Sequence, residues 1–192
     1  MALLLAAPAH TPAQAHIRDE TTADVFAREL LLDASFGLAR HAKACERLRE
    51  GRAPAQGLAL TATQRGVLVG TLRLWHVLAG YRPALLLGPL AVRASARNQR
   101  LGARLIGEAL RRAHAQGHGA VLLVGDAPYY ARFGFDDALT AQLDMPGPVE
   151  RARFLGLELT PGALAGARGL VRPAGAPAQR VIVAQGRDRR AA

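Results

Sequence analysis

Only one cysteine, Cys45, occurs in the chain. An intramolecular disulfide is therefore ruled out, and a reducing compartment is the expected setting. Aromatic residues make up 5% of the sequence, too few for the stacked platforms that bind single-stranded nucleic acid. No long hydrophobic run is present. Leu3–Ala7 is apolar but short, with no basic residue ahead of it, so it fits neither a signal peptide nor a bilayer span. The expectation is a soluble, cytoplasmic protein with no membrane partner. The six histidines are dispersed and there is one cysteine, so no metal-ligand spacing appears and no metal is expected. Lysine and asparagine are reduced to Lys43 and Asn98, while alanine, glycine, arginine and proline crowd the chain. That bias is typical of GC-rich coding sequence. It raises arginine without a functional cause, so the net charge of +10 is weak evidence for a nucleic-acid partner.

What is present suits one globular domain. Half of the 192 residues are hydrophobic and 21% are charged, enough apolar material for a core and too little charge for disorder. Residues 1–14 read as a loose Ala/Pro-rich segment, 15–160 as the folded domain, and 161–192 as an extension ending in a basic tail. His16-Ile17-Arg18 fits a first strand. Thr21 or Thr22 can cap a helix reaching Asp33, with Ala23, Phe26, Leu30 and Leu31 as its apolar stripe. A second helix is expected over Ala39–Leu48, with Ala42, Cys45 and Leu48 on one face. Cys45 reads as a small core residue rather than a nucleophile, since no activating partner is near it in sequence.

Leu58, Leu60 and Ala62 alternate with polar or small neighbours, as in a half-buried strand. Gln64-Arg65-Gly66 marks a hairpin turn into a strand over Val67–Val77. Leu78–Pro83 is expected as a loop before the apolar run Ala84–Val92. These three strands form an antiparallel meander. Gly88-Pro89 interrupts the third, because proline cannot donate to a ladder and glycine invites a bulge. A helix over Gly102–Gln116 follows, closed by Gly117, and then an apolar strand, Ala120–Gly125. The crossover makes Ala84–Val92 and Ala120–Gly125 parallel neighbours. If the bulge parts them, a V-shaped slot opens at their C-terminal ends, where ligands of open α/β sheets bind. Asp126 suits the N-cap of a short helix that Gly134 ends. Phe135 is expected to begin another strand, Arg153–Leu159 a further one, and Val181–Ala184 an edge strand that would favour a homodimer. Pro161–Ala178 offers at most a helical turn near Gly162–Ala165.

The stretch Val92–Gly102, VRASARNQRLG, joins the bulged strand to the helix. Unpaired N–H groups and the helix dipole at such a start bind phosphate. Arg93, Arg97, Arg100 and Arg104 surround it with full positive charge.

Two motifs together carry a family resemblance. Arg97-Asn98-Gln99-Arg100-Leu101-Gly102 resembles the acyl-CoA signature of GNAT N-acetyltransferases, and Tyr130-Ala131-Arg132-Phe133-Gly134-Phe135 resembles that family's Y-x-x-x-G-F helix. GDAPYYxRFGF is similar to the superfamily's predicted-acetyltransferase branch. The likeness runs from about Ile17 to Leu159 in element order. It implies an α/β fold with a mixed, mostly antiparallel central sheet, one splayed parallel pair and helices on both faces. It implies acetyl-CoA as acyl donor and direct transfer to a primary amine in a ternary complex. The acceptor would be a small-molecule amine in preference to a peptide. The resemblance assigns pantetheine contacts to the backbone of Leu90, Ala91 and Val92. It assigns diphosphate contacts to Arg97, Asn98, Gln99, Arg100, Leu101, Gly102, Ala103 and Arg104, and the general acid to Tyr130. Tyr129 is expected in the core and Asp126 only as a cap. One position departs from the family: Arg100 stands where glycine is usual, and its side chain either crowds the diphosphate or swings outward and adds charge.

No general base is legible. Ala84–Val92 carries no acid, and His76 is a candidate at the end of its strand. Glu20, Asp33 and Ser35 could face the acceptor. The acceptor pocket is expected between the first two helices, Leu78–Pro83 and the Asp136–Glu150 loop. Two other readings stay open: a non-catalytic acyl-CoA-binding module and, ranked last, a basic nucleic-acid-binding domain.

Overall fold

A computed structural model describes residues 14–178; the expected edge strand at Val181–Ala184 lies outside them. Six strands form one continuous path. In chain order, β1 is His16–Asp19, β2 Ala59–Gln64, β3 Val67–Ala79, β4 Arg82–Val92 and β5 Ala120–Val124. After β6, Leu143–Asp144, comes β7, Phe154–Glu158. The sheet order is β1-β2-β3-β4-β5-β7, antiparallel except for β4 and β5. The expected meander and parallel crossover are both present.

The hairpin between β2 and β3 turns on Arg65 and Gly66, both at positive φ, the twist that suits a two-residue connection. The loop expected at Leu78–Pro83 is instead a second tight hairpin. Leu78 pairs with Pro83 and Ala79 with Arg82 across Gly80-Tyr81. Glycine at φ +64 lets the ladder continue almost to the turn. The start expected at Phe135 is reduced to one bridge, Asp136 to Gly156. Within the Pro/Gly/Ala-rich stretch, Gly169–Pro173 forms β8, which pairs with the end of β3 and with β6.

Alternation along the strands builds two cores. Leu85, Leu87, Val121 and Leu123 face α3, Leu101–Ala115, through Leu101, Leu105, Ile106, Ala109 and Ala113. Ala84, Leu86, Ala120 and Leu122 face the opposite side, with Trp75, Phe154 and Leu164. On that second face α1, Val25–Phe36, lays Leu31 and Leu32 on Leu68 and Ala91. Helices thus cover both faces.

Of the stripe expected on this helix only Leu31 is buried; Phe26 is 74% and Leu30 55% exposed, and Ala23 is exposed too. The buried face carries Arg28, 6% exposed, alongside Leu31 and Leu32. A charge sits inside because it is paired: Arg28 contacts Glu20 and Glu29, and Arg73 also holds Glu20. The second helix is split into a 3-10 turn, Leu38–Ala42, and α2, Ala44–Arg47. Lys43 between them is extended, at φ −71 and ψ 147.

The expected bulge is present. Leu74 pairs with Leu87, but Leu72 pairs with Leu90, so Gly88 and Pro89 together face one residue of β3. Gly88 has φ +124, a conformation open to glycine, and its carbonyl accepts the buried Trp75 indole N–H at 2.6 Å. After β4 the chain forms a 3-10 helix, Ala94–Gln99, before α3. The joint between the two is Arg100, left-handed at φ 52 and ψ 22. The turn itself asks for a left-handed residue, a conformation glycine adopts more readily than arginine. At residue 100, glycine should therefore outperform alanine. Urea unfolding of Arg100→Gly and Arg100→Ala should place the glycine variant about 1 kcal/mol higher in stability; equal stabilities would contradict the strained joint.

Candidate active site

β4 and β5 pair only at Leu85 with Val121 and Leu86 with Leu122. Beyond the bulge β4 stays with β3, while β5 stays with β7 through Leu123–Leu155 and Val124–Phe154. The two strands therefore diverge, and two cavities of about 330 and 320 Å³ occupy the gap. Phe36, Leu90 and Tyr129 line both, so they are two ends of one slot.

The smaller end lies against the start of α3 and includes Leu90, Ala91, Val92, Arg97 and Gly102. Its upstream wall is a 3-10 helix rather than an open loop, and it contains Arg97, Asn98 and Gln99. The Arg104 N–H bonds the Arg100 carbonyl at 3.0 Å, the i to i−4 bond of the first helical turn. The amides of Leu101, Gly102 and Ala103 precede that bond, in the turn where a helix leaves its N–H groups unused. Leu101 buries its side chain in the core, and Ala103 is half-buried. Gly102 admits close approach: a Cβ there would stand 2.9 Å from the Tyr129 hydroxyl. Of the four arginines, Arg97 lines the cavity, with Nε 3.4 Å from the Val92 carbonyl. Arg93 and Arg100 extend into solvent. Arg104 turns aside and donates to the Ala15 carbonyl at 2.9 Å. Gln99 accepts from the Gln64 amide at 3.1 Å.

At the larger end, Asp126 caps α4, Ala127–Ala131, by accepting the Tyr129 N–H at 3.2 Å. Gly134 ends that segment at φ +87. Tyr130 lines the cavity and is held edge-on by Tyr129 and Phe135, with ring centroids 5.1 and 5.8 Å away. Its ring lies over Gly125, where a Cβ would come within 2.3 Å of Cε2. Burial pushes the Tyr130 hydroxyl up to about 12, and neighbouring Tyr129 adds to the rise. The phenol thus keeps its proton, as a donor must. Tyr129, expected in the core, does pack there but also lines both ends of the slot, with Arg132 4.6 Å over its ring. The difference follows from the tight first turn of α4, which brings consecutive tyrosines to one opening.

The expected pocket segments Leu78–Pro83 and Asp136–Glu150 do not line the slot. The stretch expected as the second helix does line it, through Arg40, Lys43, Cys45 and Glu46, joined by Arg49 and by Arg153 from the 3-10 turn just before β7. Arg40, Lys43, Glu46 and Arg49 recur every third residue along the expected second helix and just past it, whereas Gly88 and Arg153 join them only through the fold. Cys45 lines it and also packs on the second core; burial pushes its thiol up, away from the reactive thiolate. His76 is removed from the site. It lies 5.3 Å from the His118 ring in a separate cavity with Pro83 and Gly119, at the other end of the β4–β5 pair. Glu20 is enclosed by Arg28 and Arg73, Asp33 holds Arg40 at 2.8 Å, and Ser35 lines the smaller cavity. Among the described residues no cluster of three or more His, Cys, Asp or Glu could hold a metal, and no helix is long and apolar enough to cross a membrane.

Comparison with known proteins matches this geometry. Residues 55–137 fit the model of the acetyltransferase (GNAT) domain. The Escherichia coli (strain K12) protein called "Uncharacterized N-acetyltransferase YhbS" is 32% identical over 157 residues, covering 81% of this chain and 93% of that one. The crystal structure of Escherichia coli YhbS in complex with CoA superposes with a TM-score of 0.73 at 31% identity, covering 86% of this chain and 93% of that one. A Brucella melitensis GNAT acetyltransferase in complex with acetyl-CoA shares the fold, at 24% identity and TM-score 0.56, covering 88% and 97%. A split parallel pair, an open helix start beside it and this level of identity place the chain in the GNAT acetyltransferase family.

Proposed function

We propose that this protein moves the acetyl group of acetyl-CoA to a primary amine of a small-molecule acceptor, by direct attack in a ternary complex. The observation that carries the reading is a single slot with the N-terminus of α3 at one end and Tyr130, its hydroxyl pushed up by burial, at the other. Acetyl-CoA fits it by chemistry. Its diphosphate suits the amides of Leu101, Gly102 and Ala103 with Arg97 beside them, and Arg100 pointing outward adds charge without filling the turn. Asn98 and Gln99 contribute the 3-10 turn that precedes this cradle. Arg104, engaged by Ala15, acts through long-range charge. The pantetheine arm is an extended chain of amides, matched to the β4 backbone at Leu90, Ala91 and Val92, which β5 does not pair. In this reading residues 15–160 carry the catalytic unit, and the relative solved with CoA supports the same donor.

The chemistry then divides among groups of the chain. An amine near pKa ~10.4 is neutral in about one molecule in ~10³ at pH 7. Both acids at the larger end are engaged, Glu46 with Arg49 at 2.9 Å and Asp126 with the Tyr129 amide. The amine therefore loses its proton to water through the open mouth. The nitrogen attacks the thioester carbon, an N–H of the Leu90–Val92 segment receives the developing oxyanion, and the C–S bond breaks. Tyr130 donates its proton to the departing sulfur. Burial raises phenol and thiol together, so the site that pushes Tyr130 up also makes the thiolate a better base.

Calorimetry should show acetyl-CoA binding at micromolar to sub-millimolar concentration, and no binding at hundreds of micromolar would end the proposal. Tyr130→Phe should lower kcat by ~10²- to 10⁴-fold with acetyl-CoA affinity unchanged; unchanged turnover would remove Tyr130 from the reaction. The pH profile carries the same signature. A phenol pushed up to about 12 donates at any pH below that value. Wild-type kcat should therefore not fall between pH 7 and 10, and a decline in that range absent from Tyr130→Phe would contradict the assignment.

A further inference from the structure

The larger end of the slot is lined by cations that its carboxylates do not balance. Arg40 is neutralised in place, by Asp33 at 2.8 Å and by Glu29. Arg49 differs. Its side chain is 10% exposed, its Nε donates to the Cys45 carbonyl at 3.1 Å and its Nη2 meets Glu46 at 2.9 Å. Among the described residues Nη1 has no hydrogen-bond partner, and it lies 3.9 Å from where a Cβ on Gly88 would stand. One arm of a nine-tenths-buried guanidinium is thus directed at the bulge that floors the slot. Lys43 stands 5.2 Å over the Phe36 ring, and Arg153 donates to the Gly125 carbonyl at 3.2 Å. Neither has a carboxylate partner among the described residues. Glu46 and Asp126, the acids of this end, are already engaged.

Resting on the proposed transferase reading, we infer that the acceptor amine carries its own anionic group, a carboxylate or a phosphate, and that Arg49 receives it. A guanidinium only one-tenth exposed, with one arm free of protein partners among the described residues and open to the slot, forks onto such an oxyanion. The lining repels a second ammonium group, which disfavours polyamines and lysine-rich segments as acceptors. It also favours the neutral, nucleophilic form of the amine that does enter, since nearby cations lower an ammonium pKa. Lys43 and Arg153, closer to solvent, draw the anion toward the mouth.

The test separates this inference from the reading beneath it. The protein is first saturated with CoA, which fills the diphosphate cradle; absence of CoA and acetyl-CoA binding would sink the transferase reading itself. Inorganic phosphate and acetate are then titrated into the CoA-saturated protein by calorimetry. Binding of either that weakens roughly 10- to 100-fold in Arg49→Met, and is kept in Arg49→Lys, supports the inference. No anion binding to the wild type, or equal binding by Arg49→Met, overturns it. Arg153→Gln, at an exposed position, covers the case in which Arg49→Met fails to fold: a severalfold weakening supports the inference, and no change overturns it. Thiol release with α-amino acids against their C-terminal amides, and with aminoalkyl phosphates against the matching amino alcohols, tells carboxylate from phosphate. Faster turnover of uncharged partners or diamines would contradict the inference.

Discussion

Everything functional in this molecule depends on a ladder that stops after two residue pairs. β4 and β5 are parallel neighbours only at Leu85–Val121 and Leu86–Leu122. The next residues of β4 are Gly88, at φ +124, and Pro89, which has no N–H to offer. β4 then re-forms its register with β3 one residue out of step. The defect is held open from behind: Trp75, buried on β3, donates its indole N–H to the Gly88 carbonyl, so the bulge is hydrogen-bonded to the sheet rather than to a ligand. β5 is meanwhile held away by five pairs with β7. The opening is therefore a property of the packed sheet and precedes any ligand.

Around that opening, charge is arranged by depth. Arg73, Glu20 and Arg28 lie between sheet and α1, and Glu29, Arg40 and Asp33 continue the chain of ion pairs to the residues after α1. A buried network of this kind is weak as a source of stability but fixes geometry, because removing one member leaves the next unpaired. Here it anchors the segment from which Lys43, Glu46 and Arg49 reach the slot. The helix start at Leu101–Ala103 supplies the complementary feature at the other end: fixed backbone dipoles in place of buried side-chain charge. One slot thus presents two anion-attracting ends with an apolar waist at Phe36, Leu90 and Tyr129.

Much of this was legible in the sequence. Gly88-Pro89 inside an apolar run foretold the bulge, the crossover foretold a parallel pair, and the two spaced motifs foretold the family. Local rules reach that far because proline, glycine and hydrophobic period act within a few residues. They fail where tertiary pairing decides. Arg28 reads as a surface residue until Glu20, just past β1, and Arg73 of β3 are brought to it, and Phe26 and Leu30 read as core because helical period does not say which face meets the sheet. β8 was hidden in a Pro/Gly/Ala-rich stretch because its pairings, with the end of β3 and with β6, are short and set by the fold. The acceptor wall was legible only in its second-helix part, because Arg49, Gly88 and Arg153 come together only through the fold. Arg100 appeared as a departure from the expected motif, and its left-handed backbone, which no local rule for arginine predicts, emerged only from the structure.

The central claim is that the wedge between β4 and β5 receives the acyl donor. A crystal structure of the protein with acetyl-CoA tests it most directly. The account predicts the pantetheine arm alongside Leu90–Val92, the diphosphate against the Leu101–Ala103 amides, and the thioester within reach of the Tyr130 hydroxyl. β4 and β5 paired past Leu86–Leu122 with the donor bound elsewhere would contradict it.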